Sequence, residues 1–103
     1  MLFEWDDAKD ASSASNYGID FTAATAVFDH PFHLVADSTR PDAEERRGIA
    51  IGWAGDNIIA VIFTERGERR RIISAPRAGS NERRSYDDRR AAATGWDGGS
   101  GDA

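Results

Sequence analysis

Positions 47–76 constrain the fold most, because they hold three apolar segments joined by two tight turns. Their isoleucine-rich composition predicts three β-strands, at about residues 47–53, 58–64 and 69–75. The connections "AGDN" and "RG" are typical of hairpins, and Gly67 tolerates the positive φ that a two-residue turn requires. Pro76 ends the third strand because it has no N–H to donate. These residues predict an antiparallel meander.

The flanking segments predict helices and two further short strands. Asp6 or Asp7 caps a helix that runs to about Asn16, and Gly18 stops it. Asp20 caps a second helix, in which apolar side chains recur at helical spacing up to residue 28. The same reading places short strands at residues 2–5 and 32–36, an exposed loop at 37–45, and a last helix from 80 or 81 to about 93.

This order of elements predicts a single α+β domain over residues 1–93. The N-terminal helices and the C-terminal helix are expected to pack on one face of an antiparallel sheet. Residues 94–103 are rich in glycine and are predicted to form a flexible tail.

The 103 residues contain no cysteine, which excludes disulfides, thiolate metal sites and a cysteine nucleophile. No apolar run approaches the roughly 20 residues of a membrane span. We therefore expect a soluble cytoplasmic protein that does not bind a membrane. No phosphate-binding loop, dinucleotide fingerprint or other cofactor motif is present, so no cofactor is predicted.

Charge is distributed very unevenly, although the net charge is only −5. Residues 1–65 carry a balance of −8, whereas residues 66–90 hold nine arginines and a balance of +5. A local basic patch can attract a polyanion even in an acidic chain, because salt screens distant charges over about 8–10 Å. We expect the acidic half to lie away from these arginines and to meet a basic partner.

Alternation along the third strand divides its arginines between two faces. Arg69 and Arg71 share one face with Ile73, and Arg70 lies on the other. Arg77 follows the strand, and Arg83 and Arg84 open the last helix. Such guanidinium groups can form a phosphate cradle, or they can be a charged edge strand and a solvated helix face. The pattern leaves both readings open.

Carboxylates and histidines near these arginines are weaker candidates. Glu65, at the end of the second strand, can act as a general base toward a ribose 2′-hydroxyl or can simply form an ion pair, as can Glu44 and Glu45. His30 and His33 flank Pro31, which disrupts the helix that metal-ligand spacing would need, and no third ligand follows. No metal site is predicted.

Six motifs occur along the chain in one order: "FEWDDAK", "YGIDF", "AVFDHP", "EERRGIAIG", "TERGERRRIISA" and "NERRSY". Together they closely resemble the BrnT family of bacterial type II toxins, a branch of the RelE-like ribonuclease superfamily. The resemblance covers roughly residues 2–90. It implies a RelE-like fold and a growth-arresting, metal-independent ribonuclease. It also implies a BrnA-like antitoxin, through which operator DNA is bound only indirectly.

The resemblance also implies roles for particular residues. Arg46, Arg69, Arg71 and Arg77 are expected to contact or polarise the phosphate, while Glu65 and Tyr86 transfer protons or orient groups. Lys9 and Arg83 are expected to bind substrate, with an ion-pair role as the alternative for Lys9.

Two departures from the family pattern bear on activity. Asn16 and Tyr17 stand where the family has a lysine and a histidine, and a tyrosine of pKa near 10 is a poor acid–base catalyst at neutral pH. Pro76 replaces a basic residue. These departures predict weakened cleavage. The alternative function is a catalytically weak, toxin-like module that acts with the antitoxin as an operon corepressor. An unrelated α+β interaction domain is the third hypothesis.

Overall fold

The computed structural model describes residues 2–39, 41–42 and 45–93, so the predicted flexible tail at 94–103 and Glu44 lie outside the described residues. Its elements are β1 (Leu2–Trp5), α1 (Asp7–Tyr17), α2 (Phe21–Ala24), α3 (Ala26–Asp29), β2 (Leu34–Asp37), β3 (Arg47–Ala54), β4 (Asn57–Arg66), β5 (Arg69–Ser74) and α4 (Ser80–Ala93). The predicted α+β class is confirmed. No helix in the described part of the chain is both long and apolar enough to cross a membrane.

The predicted meander forms the centre of a five-stranded sheet with the order β1-β5-β4-β3-β2. Strands β3 and β4 pair without interruption from Arg47 opposite Thr64 to Ala54 opposite Asn57. The β4–β5 turn places Gly67 at φ 61°, as predicted, because glycine has no Cβ to clash in this region. A bulge in β5 lies opposite Ile62 and Phe63.

The sheet is mixed, so the prediction of a wholly antiparallel sheet is wrong at one edge. Strand β1 pairs parallel to β5, with Glu4 opposite Arg71. A parallel pair needs a long crossover connection, which the helices and strands between β1 and β5 supply. Local sequence could not reveal this pairing, because the two strands are more than 60 residues apart.

Helices cover both faces of the sheet, which corrects the prediction of one helical face. Alternate residues of β4 divide between two apolar clusters: Ile59, Val61 and Phe63 pack in the cluster that contains α2 and α3 residues. Ile58 and Ala60 pack instead against Tyr86 of α4. A central strand that is apolar at successive positions must be covered on both sides, since its side chains alternate between faces.

The second predicted helix is two short helices separated by Thr25. Its hydroxyl donates to the carbonyl of Thr22 at 2.7 Å, a local bond of the kind that bends helices. The first helix follows the prediction, because the Asp6 carboxylate accepts from the N–H groups of Ala8 and Lys9 and Gly18 ends the helix at φ 71°.

Helix α4 covers only part of its face of the sheet. Tyr86 packs with Ile51, Ile58 and Ala60, and the partly buried residues around them come from β2, β3 and nearby loops. None of the residues in this cluster comes from β5 or from β4 beyond Ala60. Helix α4 packs mainly on β3, so the other end of that face, where β4 ends and β5 begins, lies away from the helix.

Candidate functional site

One end of the sheet collects six arginines, five of them in three strands and one just before β3, and we call it the arginine end. It is formed where β3 and β5 begin and β4 ends, and it carries Arg46, Arg47, Arg66, Arg69, Arg70 and Arg71. Pairing of Arg47 with Thr64, and of Arg66 with Arg69, brings these positions together although they are up to 25 residues apart. The fold thus concentrates positive charge more than the sequence indicates.

Alternation gives the arginine end two faces of different character. Arg47, Arg66, Arg69 and Arg71 lie on the side of the sheet that α4 leaves uncovered, and we call this surface, with Thr64 at its centre, the open face. Arg70 and Glu65 lie on the side of α1–α3, which we call the closed face. The predicted division of Arg69 and Arg71 from Arg70 is confirmed.

On the closed face Arg70 is held by aromatic rings and by a carboxylate. Its Cζ atom lies 4.7 Å from the Phe28 ring centroid and 4.5 Å from that of Phe63. Its Nε and Nη2 atoms donate to Glu65, both at 2.9 Å. Only 17% of its side chain is exposed. Through its cation–π contacts and its bidentate ion pair, this guanidinium stabilises the fold.

The Phe63 ring reaches Arg70 because the neighbouring strand carries glycine. A Cβ atom at Gly48 would lie 2.5 Å from Phe63 Cζ, closer than atoms can pack. Gly48 therefore provides the space in which the ring lies between the sheet and Arg70.

Glu65 is the predicted general base, and its surroundings weaken it as a proton acceptor. The hydrogen bonds from Arg70 lower the pKa of the Glu65 carboxyl below its usual value. The group is therefore ionised at neutral pH but less basic than an ordinary glutamate. It shares a groove of about 310 Å³ with Arg46 and Arg47. The Arg46 side chain is 85% exposed and pairs with Asp37 at 3.0 Å.

On the open face two arginines pair with carboxylates and two do not. Arg71 Nη1 lies 3.0 Å from Glu4, and Arg66 Nη2 lies 3.2 Å from Glu45. Arg47 and Arg69 are exposed and form no ion pair with any carboxylate in the described ranges. Their guanidinium groups are free to bind an anion.

The expectation that the acidic half lies away from the arginines is wrong. Four of the six arginines at this end pair with acidic residues of the first 65 positions: Glu4, Asp37, Glu45 and Glu65. Strand register causes this mixing, since Glu4 lies opposite Arg71 and Glu65 opposite Arg70. The pairs reduce the free positive charge of the surface.

A second polar cluster lies in a cleft between α1 and the far end of β5. The cleft has a volume of about 320 Å³ and is lined by Lys9, Ser12, Asn16, Tyr17 and Ser74, among others. Arg77 borders it, donating to the Tyr17 carbonyl at 3.3 Å and to Asn57 at 2.7 Å. The fold thus places Lys9 in this cleft and Arg77 at its border, at the opposite end of β5 from Arg69.

The remaining predicted residues, Arg83 and Tyr86, are on α4. Arg83 is exposed, whereas Tyr86 is fully buried. The Tyr86 hydroxyl donates to the Phe32 carbonyl at 3.2 Å and accepts from Arg90 at 3.3 Å. These bonds satisfy a core tyrosine, and they give Tyr86 a structural role. The predicted catalytic and substrate-binding roles of all these residues stay predictions.

The ring nitrogens of the two histidines lie near backbone carbonyl groups of their own loop. His30 Nδ1 lies 2.9 Å from the Phe32 carbonyl oxygen, and His33 Nδ1 lies 3.2 Å from the His30 carbonyl oxygen. Within the described ranges no three histidine or acidic side chains are grouped as metal ligands.

Arg47, Arg66 and Thr64 were not among the residues singled out from the sequence. The available signal was register: pairing 47–53 with 58–64 across a short turn places position 47 opposite position 64. Counting residues back from the "AGDN" turn would have found Arg47 and Thr64, whereas charge clustering along the chain could not.

The family model for "Ribonuclease toxin, BrnT, of type II toxin-antitoxin system" matches residues 5–82 of the 103. Among curated proteins no sequence matches this chain. The matched residues include the whole meander and all six arginines of the arginine end.

Proposed function

This chain belongs to the BrnT family of ribonuclease toxins of type II toxin–antitoxin systems, and from that premise we propose that it cleaves RNA, without a metal ion, on the open face. Membership implies an RNA target and an antitoxin partner. The observation that carries the location is the set of four arginines on one uncovered sheet surface, two of them without a carboxylate partner in the described chain.

The open face suits a phosphodiester because guanidinium groups bind phosphate oxygens in a bidentate way and remain charged at all physiological pH values. Arg47 and Arg69 supply unpaired charge. Arg71, held at 3.0 Å by Glu4, supplies a guanidinium of fixed position. Fixed donors stabilise a transition state more than mobile ones, since they need no reorganisation as charge develops.

The proposed reaction is an internal transfer at phosphorus. The ribose 2′-oxygen attacks the adjacent phosphorus, and the bond to the 5′-oxygen of the next nucleotide breaks. The products are a 2′,3′-cyclic phosphate and a 5′-hydroxyl, so no water and no other reactant is consumed. The arginines stabilise the extra negative charge on the non-bridging oxygens.

A proton must leave the 2′-hydroxyl, and another must reach the leaving 5′-oxygen. Glu65, the predicted acceptor, lies on the closed face, on the other side of the sheet from the proposed phosphate site. Glu4 lies on the open face, is 25% exposed, and touches Arg71. We assign the accepting role to Glu4; the leaving 5′-oxygen takes its proton from solvent water, to which Glu4 afterwards returns the proton that it accepted. Its isosteric variant Glu4→Gln is expected to slow cleavage and to keep the affinity for RNA.

Purified protein incubated with labelled bacterial RNA, with and without ribosomes, tests the proposal. Arg71→Ala is expected to lower the cleavage rate about 100-fold or more, the usual cost of one transition-state donor. Arg84→Ala, an exposed arginine of α4, is the matched control and should cleave like the parent. Equal rates for Arg71→Ala and the parent would place the reaction elsewhere.

Metal independence has its own test. Cleavage should continue unchanged in excess EDTA, because the proposed charge stabilisation comes from arginines alone. Loss of activity in EDTA that added Mg²⁺ restores would overturn this part of the proposal and leave the open face as an RNA-binding surface.

We propose a BrnA-like antitoxin as the partner and the cytoplasm as the place of action. A small neighbouring reading frame, co-expressed with this chain, should co-purify with it and block cleavage. Co-expression without co-purification would exclude that gene product as the antitoxin.

The corepressor alternative is favoured by one observation: Glu4 and Glu45 neutralise two of the four open-face arginines. Induced expression separates the two functions. Growth arrest with loss of RNA, abolished by Arg71→Ala, supports the ribonuclease. Healthy cells with intact RNA, together with tight antitoxin binding, support the corepressor.

A further inference from the structure

Thr64 carries a buried hydroxyl that the folded chain does not use. Its side chain is 1% exposed. Within the described residues, Thr64 Oγ1 is the buried side-chain polar atom that has no hydrogen-bond partner. The large majority of buried side-chain polar atoms are hydrogen-bonded in proteins, because an unmade hydrogen bond costs about 1–3 kcal/mol. This exception calls for a physical reason.

The position of Thr64 supplies that reason. Its Cα partner on β3 is Arg47, and its partner on β5 is Arg71. All three side chains point to the open face, and Arg66 follows two residues later on the same face. Thr64 is therefore flanked by guanidinium-bearing side chains on both neighbouring strands.

The long side chains of Arg47 and Arg71 stand beside Thr64 on the neighbouring strands and can cover it. Helix α4 packs mainly on β3, and the β4 residues that pack with its Tyr86 are Ile58 and Ala60, nearer the other end of the strand. Arginine stems lie along apolar surface while their charged groups stay in water. Arg47 is exposed and has no ion pair with a carboxylate of the described residues, so its stem can turn aside when its guanidinium binds an anion, while Arg71 stays on Glu4.

Packing alone does not explain threonine at this position. Valine has the same branched shape and favours strands as strongly, and it would leave no polar atom unsatisfied. What threonine adds is a single hydroxyl, which contributes nothing to the folded chain by itself.

We propose that Thr64, Arg47 and Arg71 form an oxyanion-binding site for a phosphodiester of RNA. This inference rests on the proposed function and deepens it. As Arg47 closes on the phosphate beside the fixed Arg71, its stem uncovers Thr64, whose hydroxyl donates to a non-bridging oxygen. A hydrogen bond to a charged oxygen is about twice as strong as a neutral one, and it strengthens as negative charge grows during the reaction. Thr64 transfers no proton.

The near-isosteric variant Thr64→Val tests the site. Its midpoint of urea unfolding should equal or exceed that of the parent, because the unsatisfied hydroxyl is gone. Its cleavage rate should fall about 10- to 100-fold, the loss expected for one hydrogen bond to a charged group. Its affinity for a non-cleavable 2′-O-methyl RNA should fall as well.

Two further variants serve as controls. Thr64→Ser keeps the hydroxyl and should retain most of the cleavage and of the affinity. Thr22→Val removes an exposed threonine hydroxyl from α2 and should change neither quantity. If Thr64→Val does not fold, Thr64→Ala is compared with Thr64→Ser, since this pair differs by the same hydroxyl.

The possible outcomes separate this inference from the proposed function. Suppose that Thr64→Val cleaves and binds RNA like the parent, whereas Arg71→Ala loses both cleavage and affinity. This result would overturn the oxyanion site but would still support the ribonuclease. If the parent itself cleaves no RNA, the ribonuclease fails. The affinity of Thr64→Val for 2′-O-methyl RNA then still decides whether the hydroxyl binds phosphate.

Discussion

Arg70 and Arg71 are neighbours in one strand, yet they lie in opposite environments. Arg70, on the closed face, lies against two phenylalanine rings and is bound twice by Glu65. Arg71, on the open face, makes one contact of 3.0 Å with Glu4 beside two arginines that lack a carboxylate partner in the described chain. The same residue type therefore serves the fold on one side of the sheet and is available for anions on the other.

The comparison teaches that the number of arginines does not measure an RNA-binding surface. An arginine contributes to such a surface only when other residues of the protein do not already bind its guanidinium group. A buried, fully bonded arginine contributes to stability, because it brings packing as well as charge. An exposed and unpaired arginine contributes little to stability and most to steering a polyanion.

Arg70→Met offers the largest expected effect on this comparison. It keeps a flexible apolar chain but removes two cation–π contacts and a bidentate ion pair, so we expect the free energy of unfolding to fall by about 2–3 kcal/mol. Urea unfolding measures the loss. Arg89→Met, an exposed position on α4, is the matched control and should change stability little. Unchanged stability with lost cleavage would reverse the roles assigned to the two faces.

Arg69→Ala is expected to have an intermediate effect, on RNA binding rather than on folding. Its exposed side chain has no ion pair, so stability should stay within about 0.5 kcal/mol of the parent. The slope of log affinity against log salt for 2′-O-methyl RNA should decrease in magnitude by about 0.7, the loss of one phosphate contact on a single strand. An equal decrease in Arg83→Ala, on α4, would show that the open face is not the preferred surface.

A pH titration of Glu65→Gln gives the smallest expected effect. Arg70 holds the pKa of Glu65 below the ordinary value of 4.5, so its ionised form stabilises the fold. This stabilisation is complete above the unfolded-state pKa and is lost as pH falls through the lower folded-state pKa. The parent should therefore be more stable than Glu65→Gln at pH 7, and the difference should vanish in acid.

Urea unfolding at several pH values from 7 down to about 3 measures that difference. More than half of the Glu65 side chain is exposed, so solvent screening keeps the effect small. A difference between parent and variant that stays constant over this range would assign the stabilisation to packing rather than to the carboxylate charge.

Much of the secondary structure could be predicted because its causes are local. Asp6 caps α1, Gly18 ends it, and Gly67 turns β4 into β5; each acts on backbone groups within a few residues. The alternation of Arg69, Arg70 and Arg71 between two faces is equally local, since it follows from strand geometry alone. The family, too, could be recognised from short motifs in order along the chain.

Tertiary structure alone decided which of these residues meet. The parallel pairing of β1 with β5 placed Glu4 on Arg71, and the β4–β5 register placed Glu65 on Arg70. The same β4–β5 pairing, with that of β3 and β4, placed Thr64 between Arg47 and Arg71 on the neighbouring strands. Burial of Tyr86 likewise required α4 to pack across the sheet. Sequence determined the elements through short-range hydrogen bonds and sterics, whereas long-range burial and pairing decided which charges are free.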